Sequence, residues 1–225
     1  EIMPSLVGSE MCIRDSFIKE EKITPEVKQH LADCNVAVAP YSSVYTFLAS
    51  LPESARVLVE AQRNSGKTLD TLGLRALLGA SPMALLKATK NSVQIQGIRK
   101  SMEHDGAALV GAFMEIERMM AQGETLTELA VSEILTRFRS AQPNYFDESF
   151  ETIAGYGPHG AIVHYSATPE SSSVVDPHGL LLIDSGAQYL TGTTDITRTI
   201  CMGTPTDRER RDFTLVTVSY THLTL

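Results

Sequence analysis

Residues 180–199 constrain the fold more tightly than any other stretch. Leu180-Leu181-Leu182-Ile183 is a continuous aliphatic run, too short for a typical helix and consistent with a buried strand, and it ends in a carboxylate, Asp184. An ionised Asp at the end of a buried strand costs several kcal/mol unless it is paired or bound to a cation. A second carboxylate, Asp195, follows eleven residues later and opens another β-rich run, Asp195–Cys201. Thr191-Gly192 between them reads as a tight hairpin turn. Because side chains alternate along a strand, a two- or four-residue loop centred there places both Asp side chains on one sheet face. A three- or five-residue loop without a bulge separates them. Two carboxylates crowded on a half-buried face repel, and a shared proton, a neighbouring Arg or a divalent metal would relieve that. The alternative is that Asp195 stands in solvent while Asp184 caps a local turn.

The text around this hairpin divides into two unlike halves. From Asn35 to about Ala88 strand and helix alternate: a strand at Val36–Pro40, a helix at Val44–Leu51 stopped by Pro52, and a strand at Arg56–Glu60. A polar turn follows at Asn64–Lys67, and Ser81-Pro82 opens a helical linker. This is the pattern of the closing part of an α/β domain. The second half opens with a long helix, about Ser92 to Gln122. Ile95, Ile98, Met102, Leu109, Phe113, Ile116 and Met120 form its apolar stripe. Gly123 ends that helix, and Thr125-x-x-Glu128 reads as a capping box for a second helix through about Arg139. Ser149–Gly155, Ala161–Tyr165, Leu180–Ser185 and Asp195–Cys201 then read as strands of an antiparallel sheet, giving an α+β layout.

Two motifs that suggest phosphate binding fail on context. Gly155-Tyr-Gly157-Pro-His-Gly160 matches G-x-G-x-x-G, but a dinucleotide fingerprint must open a helix, and here Pro158 and a strand-like Ala161–Tyr165 follow. Ser65-Gly-Lys-Thr68 lacks the earlier glycine of a P-loop, since position 61 is Ala. A net charge of −8 without a basic stripe excludes nucleic acid as a natural partner. No apolar run approaches the roughly 18–20 residues that cross a bilayer. Cys12, Cys34 and Cys201 form no disulfide or CxxC framework, which fits a reduced, cytoplasmic setting. The ends stand apart: 1–16 and 219–225 resemble translated sequencing-adapter read-through. They are set aside as scars, so the natural protein is expected to continue at both ends.

Gly160-Ala-Ile-Val-His164-Tyr165, Leu182-Ile-Asp184-Ser-Gly-Ala-Gln-Tyr189 and Gly192-Thr-Thr-Asp195-Ile-Thr-Arg-Thr199 together resemble the first half of the catalytic domain of Xaa-Pro aminopeptidases. The likeness runs from about Ser81 to Val216, with the preceding α/β segment similar to the family's non-catalytic domain. The organisation this implies is a scar at 1–16 and the C-terminal part of an α/β domain at 17–87. The N-terminal half of a pita-bread metallopeptidase domain follows at 88–218, then a scar at 219–225. The resemblance further implies a dinuclear centre of two divalent metal ions, usually Mn²⁺, with Asp184 ligating one metal and Asp195 bridging both. It makes His164 the residue that contacts substrate beside the scissile bond. The implied reaction is release of the N-terminal residue from peptides with proline second, in a cytoplasmic enzyme that is a homodimer at full length. The family's remaining ligands, one His and two Glu, lie in later strands, so this chain is expected to bind metal weakly and to turn nothing over. Prolidase, methionine aminopeptidase and a metal-free pita-bread peptide-binding module share the fold and stay as alternatives.

Overall fold

The computed structural model describes residues 6, 7 and 14–222. Cys12 and most of the 1–16 stretch lie outside them, as do 223–225. The chain divides into two compact units, 1–89 and 90–225.

In the first unit, β1 (Leu6–Val7) pairs antiparallel with β2 (Arg14–Ile18), and β2 pairs parallel with β3 (Val36–Pro40) across helix α1 (Pro25–Asp33). Arg14, Asp15 and Ser16, set aside above as scar, thus open a regular strand. Helix α2 (Val44–Ser50) follows, then a second parallel pair, β4 (Val57–Val59) and β5 (Ala76–Leu78), joined through α3 (Gly66–Leu72); α4 (Pro82–Ala88) closes the unit. The polar Asn64–Lys67 stretch is the start of α3 rather than a free turn: the Ser65 hydroxyl accepts from Thr68 N–H and satisfies one of the helix's orphan donors. Val44, Leu48, Val59 and Leu72 form a small core that Phe17 and Phe47 border, their rings 5.3 Å apart.

The second unit opens with α5 (Ser92–Ala121), capped by a reciprocal Asn91–Gln94 box, and α6 (Glu128–Ser140). The cap of α6 is Thr127, whose hydroxyl accepts from Ala130 N–H; the Thr125–Glu128 capping box does not form, because Glu128 is engaged elsewhere. Two three-stranded antiparallel sheets follow. The order β10-β9-β6 joins Gly192–Thr193, Ala187–Tyr189 and Tyr145–Glu148, and β11-β8-β7 joins Ile196–Cys201, Leu180–Ser185 and Ile153–Tyr156. A last helix, α7 (Asp207–His222), runs into the 219–225 stretch.

One face of the β8 sheet is apolar. Leu181, Ile183, Ala154 and Ile196 join Leu109, Ile116, Val131 and Leu135 from α5 and α6 in the main core. The stripe read on α5 is buried only in its later half; Ile95, Ile98 and Met102 are exposed. The inward positions of the earlier half are polar, Ser101 and Asp105, because the hairpin tip is fastened there by hydrogen bonds.

Candidate metal centre

The hairpin register places Asp184 opposite Thr197, and Thr197 Oγ1 donates to Asp184 Oδ1 at 2.7 Å. Asp195 lies two residues before Thr197, between Thr194 and Ile196, both buried on the core side, and is itself exposed. Alternation therefore turns Asp184, Thr197 and Asp195 to the same, outer face. The turn is Leu190-Thr191, since Tyr189 pairs with Gly192. That is one residue earlier than the Thr191-Gly192 expected, and the parity is unchanged. Gly192 is needed for approach: a Cβ there would lie 3.1 Å from Ile98 Cα on α5 and 3.0 Å from Ser101 Oγ. The ladder is interrupted between the two acids. At Gly186 a Cβ would stand 2.0 Å from Thr194 O, so the backbone of the Asp195 strand occupies the space of a side chain at 186. Ser149 straps this crossing, its hydroxyl donating to Thr194 O and its N–H to Gly186 O, while Thr194 Oγ1 accepts from Ala187 N–H.

Among the described residues neither Asp forms an ion pair or a hydrogen bond to the other, and Arg198 donates instead to the carbonyl of Thr197. Asp195 and the second oxygen of Asp184 accept no hydrogen bond from the described residues. Hard oxygen donors on an open, partly solvated face fit a hard divalent cation. Among the described residues, no group of three or more His, Cys, Asp or Glu comes together that could hold a metal.

His164 is placed differently from its expectation. Ala161–Tyr165 is not a strand: a 3-10 turn, Gly157–Ala161, leads to His164 in a left-handed backbone (φ 55°) on an exposed turn. The cause is a carboxylate that gathers both ends of the segment. Glu128, fully buried, accepts from Tyr156 N–H (2.7 Å) and His159 Nδ1 (2.9 Å) at one oxygen. At the other it accepts from Tyr165 Oη (2.9 Å) and Ser173 N–H (2.8 Å). An acceptor-only carboxylate requires Nδ1 of His159 to carry its proton. Burial works against this charge, but the Ser173, Tyr156, His159 and Tyr165 bonds outweigh it and hold the Glu128 carboxyl below the usual carboxylate range. The His159 ring also stacks on Tyr165, centroids 4.4 Å apart. The G-x-G-x-x-G glycines serve this turn: a Cβ on Gly155 would meet Gly160 N at 2.8 Å, and Gly157 has φ 55°. Gly155 pairs with Leu182, and a Cβ on Gly160 would touch Leu182 Cβ, so the turn lies over the sheet face that bears Asp184.

Sequence reasoning missed Glu128, read only as a cap, and His159, which entered only as a letter of the rejected G-x-G-x-x-G match. It also missed Asp105 and Arg139. These two form a bidentate, wholly buried ion pair (2.8 and 3.3 Å), with Glu148 Oε2 3.4 Å from the guanidinium and Tyr189 Oη donating to Asp105. Burial, and then the bond to Glu148, push the Tyr145 phenol up to about 12. The signal available was the spacing: Ser101, Asp105, Ala108 and Ala112 continue one helical face as small or polar residues.

Two helices packed on an antiparallel sheet whose outer face carries Asp184 fit the catalytic half of a pita-bread metallopeptidase. The chain belongs to metallopeptidase family M24, whose model matches residues 96–222, and the Creatinase/Prolidase N-terminal domain matches 6–94. Within that family it is similar to a probable Xaa-Pro aminopeptidase P of Paracoccidioides brasiliensis (strain Pb03), 40% identical over 90% of this chain and 35% of that protein. It is also similar to aminopeptidase P2 of Arabidopsis thaliana, 36% identical over 89% and 32%. Among solved structures, the X-prolyl aminopeptidase from Caenorhabditis elegans, described as a cytosolic enzyme with a di-nuclear active site, superposes with a TM-score of 0.79. It is 30% identical, and the match covers 87% of this chain and 33% of that one. The prolidase from Pyrococcus horikoshii OT3 shares the fold (TM-score 0.69) at 20% identity, over 92% of this chain and 57% of that one. The chain spans about a third of the length of the curated relatives it matches.

Proposed function

We propose that this chain carries part of the active site of a metal-dependent aminopeptidase that releases the N-terminal residue from peptides with proline in second position. The observation that carries the reading is the placement of Asp184 and Asp195 on one sheet face with no ion pair to either among the described residues. In this reading Asp184 and Asp195 hold two divalent cations, Mn²⁺ being the first candidate, and Thr197 fixes the Asp184 carboxylate so that one oxygen stays free. Cations bound there supply a water acidic enough to ionise near neutral pH and positive charge facing a developing oxyanion. His164, exposed beside that face, donates a hydrogen bond to the substrate carbonyl region. Residues 17–87 form the non-catalytic α/β domain and 88–218 the catalytic portion, in a cytoplasmic, homodimeric enzyme. No described helix is long and apolar enough to cross a membrane.

Two carboxylates fill little of the six-coordinate shell that Mn²⁺ prefers. The 225-residue chain alone therefore binds Mn²⁺ weakly and has no turnover; Mn²⁺-dependent release of a residue from an Xaa-Pro tripeptide by this chain overturns that statement. The function itself is tested by a chimera in which residues 90–222 replace the matching stretch of the nematode enzyme. It should cleave Xaa-Pro tripeptides in preference to Xaa-Pro dipeptides, and lose activity with Asp184→Asn or Asp195→Asn. A preference for dipeptides would favour prolidase, and a folded but inert chimera a peptide-binding module.

A further inference from the structure

His164 makes no hydrogen bond of its own among the described residues, yet it sits in a left-handed backbone conformation that a non-glycine residue adopts only when its surroundings impose it. What surrounds it is the Glu128 cluster. Four donors from three stretches of chain (Tyr156, His159 with Tyr165, and Ser173) converge on that carboxylate, and Tyr165 is the residue next to His164. We propose that Glu128 is a positioning residue, which fixes His164 over the Asp184 face by clamping both ends of the segment that carries it. The role rests on the reading of His164 as substrate-facing and of the Asp pair as cation-holding.

The chemistry of the clamp is specific to a carboxylate. Each oxygen meets one backbone N–H, from Tyr156 or Ser173; His159 Nδ1 reaches both oxygens, at 2.9 and 3.1 Å, and Tyr165 Oη donates to the second. A glutamine of the same size would point its NH₂ group at one of those N–H groups in either orientation, leaving a buried donor facing a donor. The stacked His159–Tyr165 pair transmits the constraint across the turn, and the Gly155–Gly160 contact keeps the turn on the Leu182 and Asp184 side of the sheet.

The test uses the 225-residue chain with isotope-labelled histidine and backbone nitrogen, and Mn²⁺ alone as probe. In the wild type, Mn²⁺ should broaden both the Thr197 amide and the His164 ring signals. Glu128→Gln should speed exchange of the Tyr156 and Ser173 amides at least tenfold while leaving Leu181 and Ile183 protected. It should also change His164 broadening at least twofold relative to Thr197. Tyr165→Phe, which removes one donor, should shift His164 in the same direction by less and leave the Tyr156 amide protected. Unchanged exchange, or faster exchange with an unchanged ratio of His164 to Thr197 broadening, overturns the positioning role. Should Glu128→Gln fail to fold, Tyr165→Phe decides, and an unaltered ratio there is equally fatal. If Mn²⁺ leaves Thr197 sharp in the wild type, the cation reading fails separately, and the amide-exchange arm still settles whether Glu128 holds the segment.

Discussion

The second unit holds two kinds of acid, one kind on its helices and the other on its sheet. Asp105 and Glu128 are wholly buried, and each is surrounded by donors: a guanidinium and a phenol for one, two backbone N–H groups, an imidazole and a phenol for the other. Asp184 and Asp195 sit at the outer face, and among the described residues a single threonine hydroxyl is their donor. Burial and satisfaction go together in the first pair, exposure and incompleteness in the second. An acid the fold needs is closed off by its neighbours, whereas an acid left partly open has oxygens to spare, for water or for the cation proposed at Asp184 and Asp195.

The sharpest way to break this contrast is to remove a partner from a closed acid. Arg139→Leu leaves Asp105 buried without its cation and should cost about 3–5 kcal/mol of unfolding free energy, read from urea midpoints. Asp184→Asn and Asp195→Asn, measured the same way, should stay within about 0.5 kcal/mol of wild type or gain stability from relieved repulsion. Equal losses in all three would erase the distinction.

The next largest effect falls on the join between the acids. Gly186→Ala places a Cβ 2.0 Å from Thr194 O, a backbone atom that cannot rotate aside, so the strands must part. Overpacking of this kind costs about 1–3 kcal/mol. Because the displaced strand carries Asp195, Mn²⁺ affinity should fall together with stability, unlike in Arg139→Leu variants that remain folded. A smaller, pH-dependent effect comes from Glu128. Its folded-state pKa lies below the unfolded value of about 4.3. It therefore contributes stability that is present above that pH and is lost as pH falls through the folded value. The stability gap between wild type and Glu128→Gln should accordingly narrow below about pH 4.3; a gap that holds constant down to pH 3 would mean the carboxylate is not the ionised clamp.

The open acids were legible in the sequence and the closed ones were not, for a physical reason. A strand that is apolar up to Asp184 and a partner of matching parity advertise a shared face through period-two alternation, which survives a turn placed one residue off. Asp105, Arg139 and Glu128 occupy ordinary helical positions, and their burial depends on which distant residues arrive: Tyr189 from β9, Glu148 from β6, Tyr165 from the turn. Ala161–Tyr165 misled for the same reason. Its β-branched and aromatic letters favour a strand locally, and a carboxylate several elements away folds it into a turn instead. Helix α7 was missed because its later residues were set aside as scar.

The smallest expected change lies at Thr197. Its hydroxyl gives Asp184 the one internal hydrogen bond that the open pair has among the described residues. Were that bond there for stability, Thr197→Val would cost about 1 kcal/mol, the net worth of an ordinary hydrogen bond. Thr197 is exposed, however, so water can replace the hydroxyl at Asp184 Oδ1, and valine suits a strand at least as well as threonine. The urea midpoint should therefore move by less than about 0.5 kcal/mol. Cation binding should respond more strongly, because a donor that fixes one carboxylate oxygen also orients the other, and loss of such support weakens metal sites by about 10–100-fold. A Thr197→Val chain with unchanged stability and Mn²⁺ affinity reduced about tenfold places the hydroxyl in the service of the open acids. Loss of stability with unchanged Mn²⁺ affinity would move Asp184 into the company of Asp105 and leave Asp195 as the only acid on that face still available to a cation.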